Sequence, residues 1–288
     1  MKISKAKFKG HETFSLREGW IYKCLSELVK DDGNTLFSGI NPITRLGVGS
    51  NMTKAIRYWI RAFNLSIDNN KGTFLTELGK LVYKYDKYCE DDFTLWLMHI
   101  NLASNITNAT AWHLYFNEYD KKEFKADDLY IFINNCMLEQ GIKVSDNSIR
   151  VDANMIIKMY SEVNDEGTTP EDNIASPFSR LGLLKECGNK YIREKPDLNT
   201  IDKLIILYII SKMIENNQNI SIDALEEDEF GVGKLLGISR TDINYYLDLL
   251  ENAGFIHVVR TAGLNTIKFL QGDLLDSNKI VELYYSNL

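Results

Sequence analysis

The sequence predicts a mainly α fold, with two winged helix-turn-helix domains flanking a helical middle domain. Three observations predict it. An apolar helix end, a glycine turn, a polar cap and an amphipathic helix follow one another twice, at Leu46–Ile60 and at Leu236–Leu247. Each copy precedes a strand–turn–strand pattern. The segments between them are aromatic and of helical period, in a chain of 288 residues with 15 Tyr, 13 Phe and only 4 Pro.

The first domain is expected at 1–85. Glu18 to Val29 reads as its first helix, with Trp20, Ile21, Cys24, Leu25 and Leu28 at helical spacing. Asp31-Asp32-Gly33-Asn34 breaks it, and Pro42 opens a short second helix. Gly47 and Gly49 permit the turn, and Ser50 or Asn51 caps the third helix. There Met52, Ala55, Ile56, Trp59 and Ile60 face inward, while Lys54, Arg57, Tyr58 and Arg61 face outward. Leu65-Ser66-Ile67 and Thr73-Phe74-Leu75, joined through Asp68 to Gly72, form the wing, and Thr76 caps a closing helix.

The middle domain is expected at 86–197, with helices over Phe93–Ala103, Thr110–Glu118, Lys125–Glu139 and Ile149–Val163. An exposed loop near 164–173 follows, then order from Ser176 and a hairpin near Gly188–Tyr191. His99 and His113 sit among aromatics and read as core histidines. The last domain, 198–288, opens with an apolar helix over Ile201–Ile214. The run Glu226–Glu229 reads as a solvated helix end, with metal binding as the alternative. Val232–Leu236 and Thr241–Asn252 make the second helix pair, and Gly254–Arg260 with Thr266–Leu270 make the second wing.

Charge is divided unevenly. The chain carries −7 overall, but Met1–Tyr85 holds 14 basic and 7 acidic residues, leaving 19 basic and 33 acidic in the remainder. A basic lobe on an acidic body binds phosphate locally. The alternative is a merely solvated lysine surface. No apolar run reaches the roughly 18 residues that a membrane span needs, and the basic N-terminus lacks the apolar stretch of a signal peptide. Cys24, Cys89, Cys136 and Cys187 form no CxxC pair and read as reduced core thiols of a cytoplasmic protein. No P-loop, GxGxxG or HExxH motif is present.

Two helices are candidate DNA readers. A helix in the major groove needs polar residues at base edges and cations at phosphates. The first offers Asn51, Thr53, Lys54, Arg57, Tyr58 and Arg61, with Lys71 on the wing. The second offers Ser239, Arg240, Thr241 and Asn244. Val232–Leu270 is nearly neutral, with four basic and three acidic residues, so protein docking or dimerisation is equally open there. A third candidate is Phe8–Trp20, where His11, Glu12 and Arg17 can supply a base, a metal ligand and a phosphate clamp. The structural alternative is a chain entry in which His11 and Glu12 hydrogen-bond the backbone and Arg17 pairs with a carboxylate.

Gly10-His11-Glu12-Thr13-Phe14-Ser15-Leu16-Arg17-Glu18-Gly19-Trp20 resembles the opening signature of a bacterial family filed as a domain of unknown function. The resemblance continues at Leu75–Gly79, Leu95–His99, Trp112 with Phe116–Glu118, and Ser176–Phe178 with Leu181–Leu183, so it spans nearly the whole chain. That family includes SspB-like proteins, encoded beside a cysteine desulfurase and an ATP-using sulfurtransferase in DNA phosphorothioation operons. The resemblance implies a DNA-binding component of a phosphorothioation and phage-defence system. Its enzymatic form is a DNA nickase that prepares the strand for sulfur insertion, with Mg²⁺ as its ion and His11, Glu12 and Arg17 as candidate catalytic residues. The implied partners are double-stranded DNA and sulfur-transfer proteins of the same operon. The alternatives are a non-enzymatic winged-helix transcription regulator, dimeric on a palindromic operator, and a scaffold for sulfur-transfer enzymes.

Overall fold

A computed structural model describes residues 3–30, 35–39, 41–161, 176–214, 220–261 and 264–287. The expected breaker at 31–34, the loop near 164–173 and the turn at 262–263 lie outside the described residues. The chain is mainly helical with small antiparallel sheets, and divides into two compact units, Met1–Glu194 and Lys195–Leu288.

The first unit begins with α1 (Trp20–Lys30), α2 (Pro42–Leu46), α3 (Ser50–Ala62), β1 (Ser66–Asn69), β2 (Gly72–Leu75) and α4 (Glu77–Tyr85). Gly19, at φ 77°, holds a left-handed backbone that no helix incorporates, so α1 starts only at Trp20. Neither Ser50 nor Asn51 caps α3; Gly49 occupies the cap and Ser50 is the first helical residue. β1 and β2 pair in register from Ser66–Leu75 to Asn69–Gly72. The Asn69 side chain accepts the Lys71 N–H at 2.7 Å, which tightens the turn. Thr76 Oγ1 accepts the Gly79 N–H at 3.0 Å, the expected cap of α4. A Cβ on Gly79 would lie 2.0 Å from the Leu65 carbonyl oxygen, so only glycine lets α4 approach the hairpin this closely.

The same unit continues with α5 (Asp92–Ala103), α6 (Thr110–Asn117), β3 (Glu123–Phe124), α7 (Ala126–Glu139), α8 (Asp146–Tyr160), a 3₁₀ turn at Pro177–Leu181, β4 (Leu184–Cys187) and β5 (Lys190–Arg193). β3 joins the expected hairpin to give the order β3-β5-β4. Ser145 caps α8, which begins at Asp146, three residues ahead of the expected start. An aromatic core runs through the unit. Trp59 of α3 stacks on Phe63 at 5.6 Å and meets Trp112 of α6 edge-on at 5.5 Å. Phe63 in turn stacks on Phe178 at 5.4 Å. The boundary expected at residue 85 therefore falls inside one continuous core. All four tryptophans of the chain, Trp20, Trp59, Trp96 and Trp112, are buried in this unit. His99 and His113 are buried as expected, His99 Nδ1 lying 2.8 Å from the Tyr160 hydroxyl.

The second unit comprises α9 (Lys203–Ile214), β6 (Ile220–Ser221), α10 (Ile222–Glu227), α11 (Val232–Leu236), α12 (Arg240–Asn252), β7 (Ile256–Thr261), β8 (Leu264–Phe269), a 3₁₀ turn at Gly272–Leu275 and α13 (Ser277–Ser286). Its sheet has the order β6-β8-β7. Ser239 and Asp242 cap α12 reciprocally: Asp242 accepts the Ser239 N–H at 2.9 Å. The apolar α9 packs against α12 and α13. All four cysteines are free. Cys24 and Cys89 are core thiols whose pKa burial pushes up, whereas Cys136 is half-buried and Cys187 is exposed on β4. No described helix is long and apolar enough to cross a membrane.

Candidate nucleic-acid interface

The N-terminal segment is a strap laid over the first unit. The Ile3 N–H reaches Gln140 Oε1 at 3.3 Å and the Lys7 N–H reaches Thr110 Oγ1 at 2.9 Å. Gly10 lies flat on the Tyr58 ring, where a Cβ would stand 2.4 Å from a ring carbon. Lys9, Glu12 and Thr13 all take positive φ, at 55°, 49° and 71°, so the strap turns sharply around His11. That side chain is fully buried and stacks on Trp59 at 5.6 Å. Its Nε2 donates to Asp152 Oδ1 at 2.9 Å, and the same oxygen accepts the Lys9 N–H at 2.9 Å. Burial pushes the Asp152 pKa up, opposed by the His11 hydrogen bond.

The three expected catalytic candidates thus occupy three environments. His11 is closed to solvent and ties the strap to α8. Glu12 is half-buried, with its carboxylate 3.8 Å from Lys54 Nζ. Arg17 packs over Phe14 and Trp20 at 5.9 and 5.7 Å. Mg²⁺ takes oxygen ligands in an open octahedral shell. A buried, hydrogen-bonded imidazole and a carboxylate facing an ammonium do not fit that ion.

The surface of α3 carries Asn51, Lys54, Arg57 and Arg61. Two expected contacts are corrected. Tyr58 is only 3% exposed because Gly10 and the His11 ring cover it. Thr53 is buried and turns its hydroxyl to the Gly49 carbonyl at 3.1 Å. Arg57 Nη2 and Arg61 Nη1 share one carboxylate oxygen of Asp68 on β1, at 2.9 and 3.0 Å, and Thr73 donates to the other at 2.6 Å. Lys7 lies among these cations. Burial, then Arg61, Lys5 and Arg57, holds its ammonium below the ordinary lysine range, with Asp68 opposing. Arg57 and Arg61 therefore converge on a single Asp68, with Lys7 close enough to feel all three, and exposed Lys71 stands in the hairpin turn. Sequence reasoning missed Lys5 and Lys7 as members of this patch, although the basic run up to Lys9 signalled them.

The second unit handles its helix differently. Arg240 is bound by Asp223 and by Glu226 at 3.1 Å, and Asn244 turns its amide to the Arg240 carbonyl at 2.9 Å. Arg260 pairs with Asp248 at 2.9 Å and Lys195 with Asp242 at 2.7 Å. Ser239 is occupied as the cap, while Thr241 is exposed.

A cleft of about 230 Å³ opens in the first unit where α1 begins. Arg17, Glu18, Tyr88, Glu90, Pro177 and Arg180 are among the residues that line it. Arg180 donates to Asp92 at 2.6 Å and to the Glu90 carbonyl at 2.8 Å. Three strings far apart in sequence meet here: the opening signature, Met98 of Leu95–His99, and the segment from Ser176.

No curated protein matches this chain. Among solved structures it is similar to a magnesium ion-bound SspB crystal structure, at TM-score 0.85 and 24% identity over 99% of this chain and 88% of that one. It is likewise similar to an SspB crystal structure, at TM-score 0.86 and 24% identity over 99% and 90%. The family model described as a protein of unknown function, DUF4007, matches residues 8–285, from the opening strap to the last helix, and the chain belongs to that family.

Proposed function

We propose that this protein is the DNA-engaging component of an SspB-like phosphorothioation system and grips duplex DNA through its first unit. The order α1-α2-α3-β1-β2 is read as a winged helix, with α3 as the groove helix and the hairpin as the wing. The carrying observation is the convergence of Arg57 and Arg61 on one carboxylate, with the Lys7 ammonium close enough to feel both guanidiniums. Such a cluster is costly without a counter-ion, and a phosphate backbone supplies one. The likeness to SspB structures supports the phosphorothioation setting. The likeness to a magnesium ion-bound structure supports no more than Mg²⁺ as the ion of a nicking activity, and His11, Glu12 and Arg17 are assigned no step in it.

Fluorescence anisotropy against a labelled duplex across a salt series tests the grip. The double variant Arg57→Gln/Arg61→Gln is expected to bind at least tenfold more weakly at low salt. The slope of log K against log salt should shrink by about 2, near 0.9 for each lost phosphate contact. Unchanged affinity and slope would overturn the reading. The second unit repeats the helix–helix–hairpin order, yet acidic neighbours neutralise the cation at the start of α12. We assign that face to protein contact, with sulfur-transfer partners or a second copy as the occupants to test.

A further inference from the structure

The cleft at the start of α1 contains side chains that the duplex grip does not use. Tyr88 is 53% exposed and lies against Tyr22 at 4.7 Å between ring centroids. Lys87 sits over both rings, at 5.1 and 5.7 Å. A supported aromatic ring flanked by an ammonium is the arrangement on which single-stranded nucleic acid stacks.

The charge of the lining decides what enters. The Arg180 guanidinium is held by Asp92 and the Glu90 carbonyl. The Arg17 guanidinium makes no hydrogen bond or ion pair among the described residues, only its packing on Phe14 and Trp20. Against this one uncompensated guanidinium stand the carboxylates of Glu18 and Glu90. A phosphate inside the cleft would meet no net positive charge, since Arg17 and Arg180 are matched by Glu18 and Glu90. A flat neutral group with N–H donors and carbonyl acceptors suits the lining better: carboxylates accept from its donors and Arg17 donates to its carbonyls. At about 230 Å³ the cleft is smaller than the usual range for drug-sized ligands and has room for one ring system.

We infer that this cleft seats one unpaired nucleobase of a DNA strand, stacked on Tyr88 and hydrogen-bonded by Arg17 with Glu18 or Glu90, while Lys87 meets the flanking phosphate outside. The inference rests on the reading of the protein as a DNA-engaging one and adds the form of DNA it selects. A base taken out of the stack is read in this way, by its edge and by an aromatic face.

Three labelled probes test it: an oligothymidylate, an abasic strand of equal length, and a blunt duplex. The abasic strand carries the same phosphates without bases. The wild type is expected to bind the oligothymidylate at least tenfold more tightly than the abasic strand. Tyr88→Ala should erase that difference and Arg17→Gln should reduce it, while Tyr88→Phe retains it. Duplex affinity should not change in Tyr88→Ala. Equal binding of oligothymidylate and abasic strand by the wild type overturns the inference, as does a difference that survives Tyr88→Ala. If the duplex is not bound but the base-dependent difference is present, the duplex grip falls and the cleft assignment stands.

Discussion

Asp68→Asn is expected to make the protein less stable and a better DNA binder. Asp68 is the one carboxylate shared by Arg57 and Arg61. Asparagine keeps its shape and can still accept the Thr73 hydroxyl, but loses the charge. Both arginines are about a third exposed, at 39% and 30%, so each pair contributes about 0.2–1 kcal/mol. The variant should lose about 1 kcal/mol, a fall of about 2–4 °C in Tm for a unit of this size. Binding should move the other way. A phosphate docked on these guanidiniums would lie about 6 Å from the Asp68 carboxylate. Their repulsion is about 0.7 kcal/mol at the dielectric of water and about 2.8 kcal/mol at an effective value near 20. The rim is wet, so a gain of about three- to tenfold at low salt is expected, fading as salt screens it. Anisotropy titrations against a duplex, beside a thermal melt, give both numbers. Weaker or unaltered binding would show that Arg57 and Arg61 serve only to fasten the β1–β2 hairpin.

Two further changes probe the strap and the hairpin. His11→Ala leaves the buried Asp152 with one hydrogen bond, from the Lys9 N–H, and should cost about 3–5 kcal/mol in a urea melt. Asp152→Asn can still accept both hydrogen bonds and should stay within about 1 kcal/mol of wild type. Burial raises the folded-state pKa of Asp152 above the ordinary aspartate value near 3.8, so the folded state holds that proton more tightly. This contribution is present below that value and is lost as pH climbs through the raised pKa. The wild type should therefore lose ground to Asp152→Asn across that window; a flat difference would refute the upward shift that burial gives Asp152. Gly79→Ala drives a methyl to 2.0 Å from the Leu65 carbonyl and should cost about 3 kcal/mol, whereas an effect under half of that would mean that α4 can move aside.

Local rules made the helices and hairpins legible. Pro42, the Thr76 cap, the glycine turns and period-3.6 patterning each act within a few residues. What escaped is what depends on distant partners. Asp152 is 141 residues from His11 and reads in sequence as an ordinary polar position on α8. Tyr58 reads as outward-facing beside Lys54, Arg57 and Arg61, and nothing local announces that Gly10 will cover it. β3, two residues long, is too short to show alternation. The resemblance strings did carry site information, but only as a set: their meeting at one cleft is a property of topology that no single string contains.

The placement of the four indoles has a practical corollary. The second unit contains no tryptophan, so emission excited selectively at indole is blind to it. Far-ultraviolet dichroism, by contrast, registers the helices of both halves. Running the two readouts on one sample separates the melting of residues 1–194 from that of residues 195–288 without cutting the chain or adding a dye. Coincident curves would mark the halves as one cooperative body; a dichroism change that leaves emission untouched would mark the C-terminal half as the first to open.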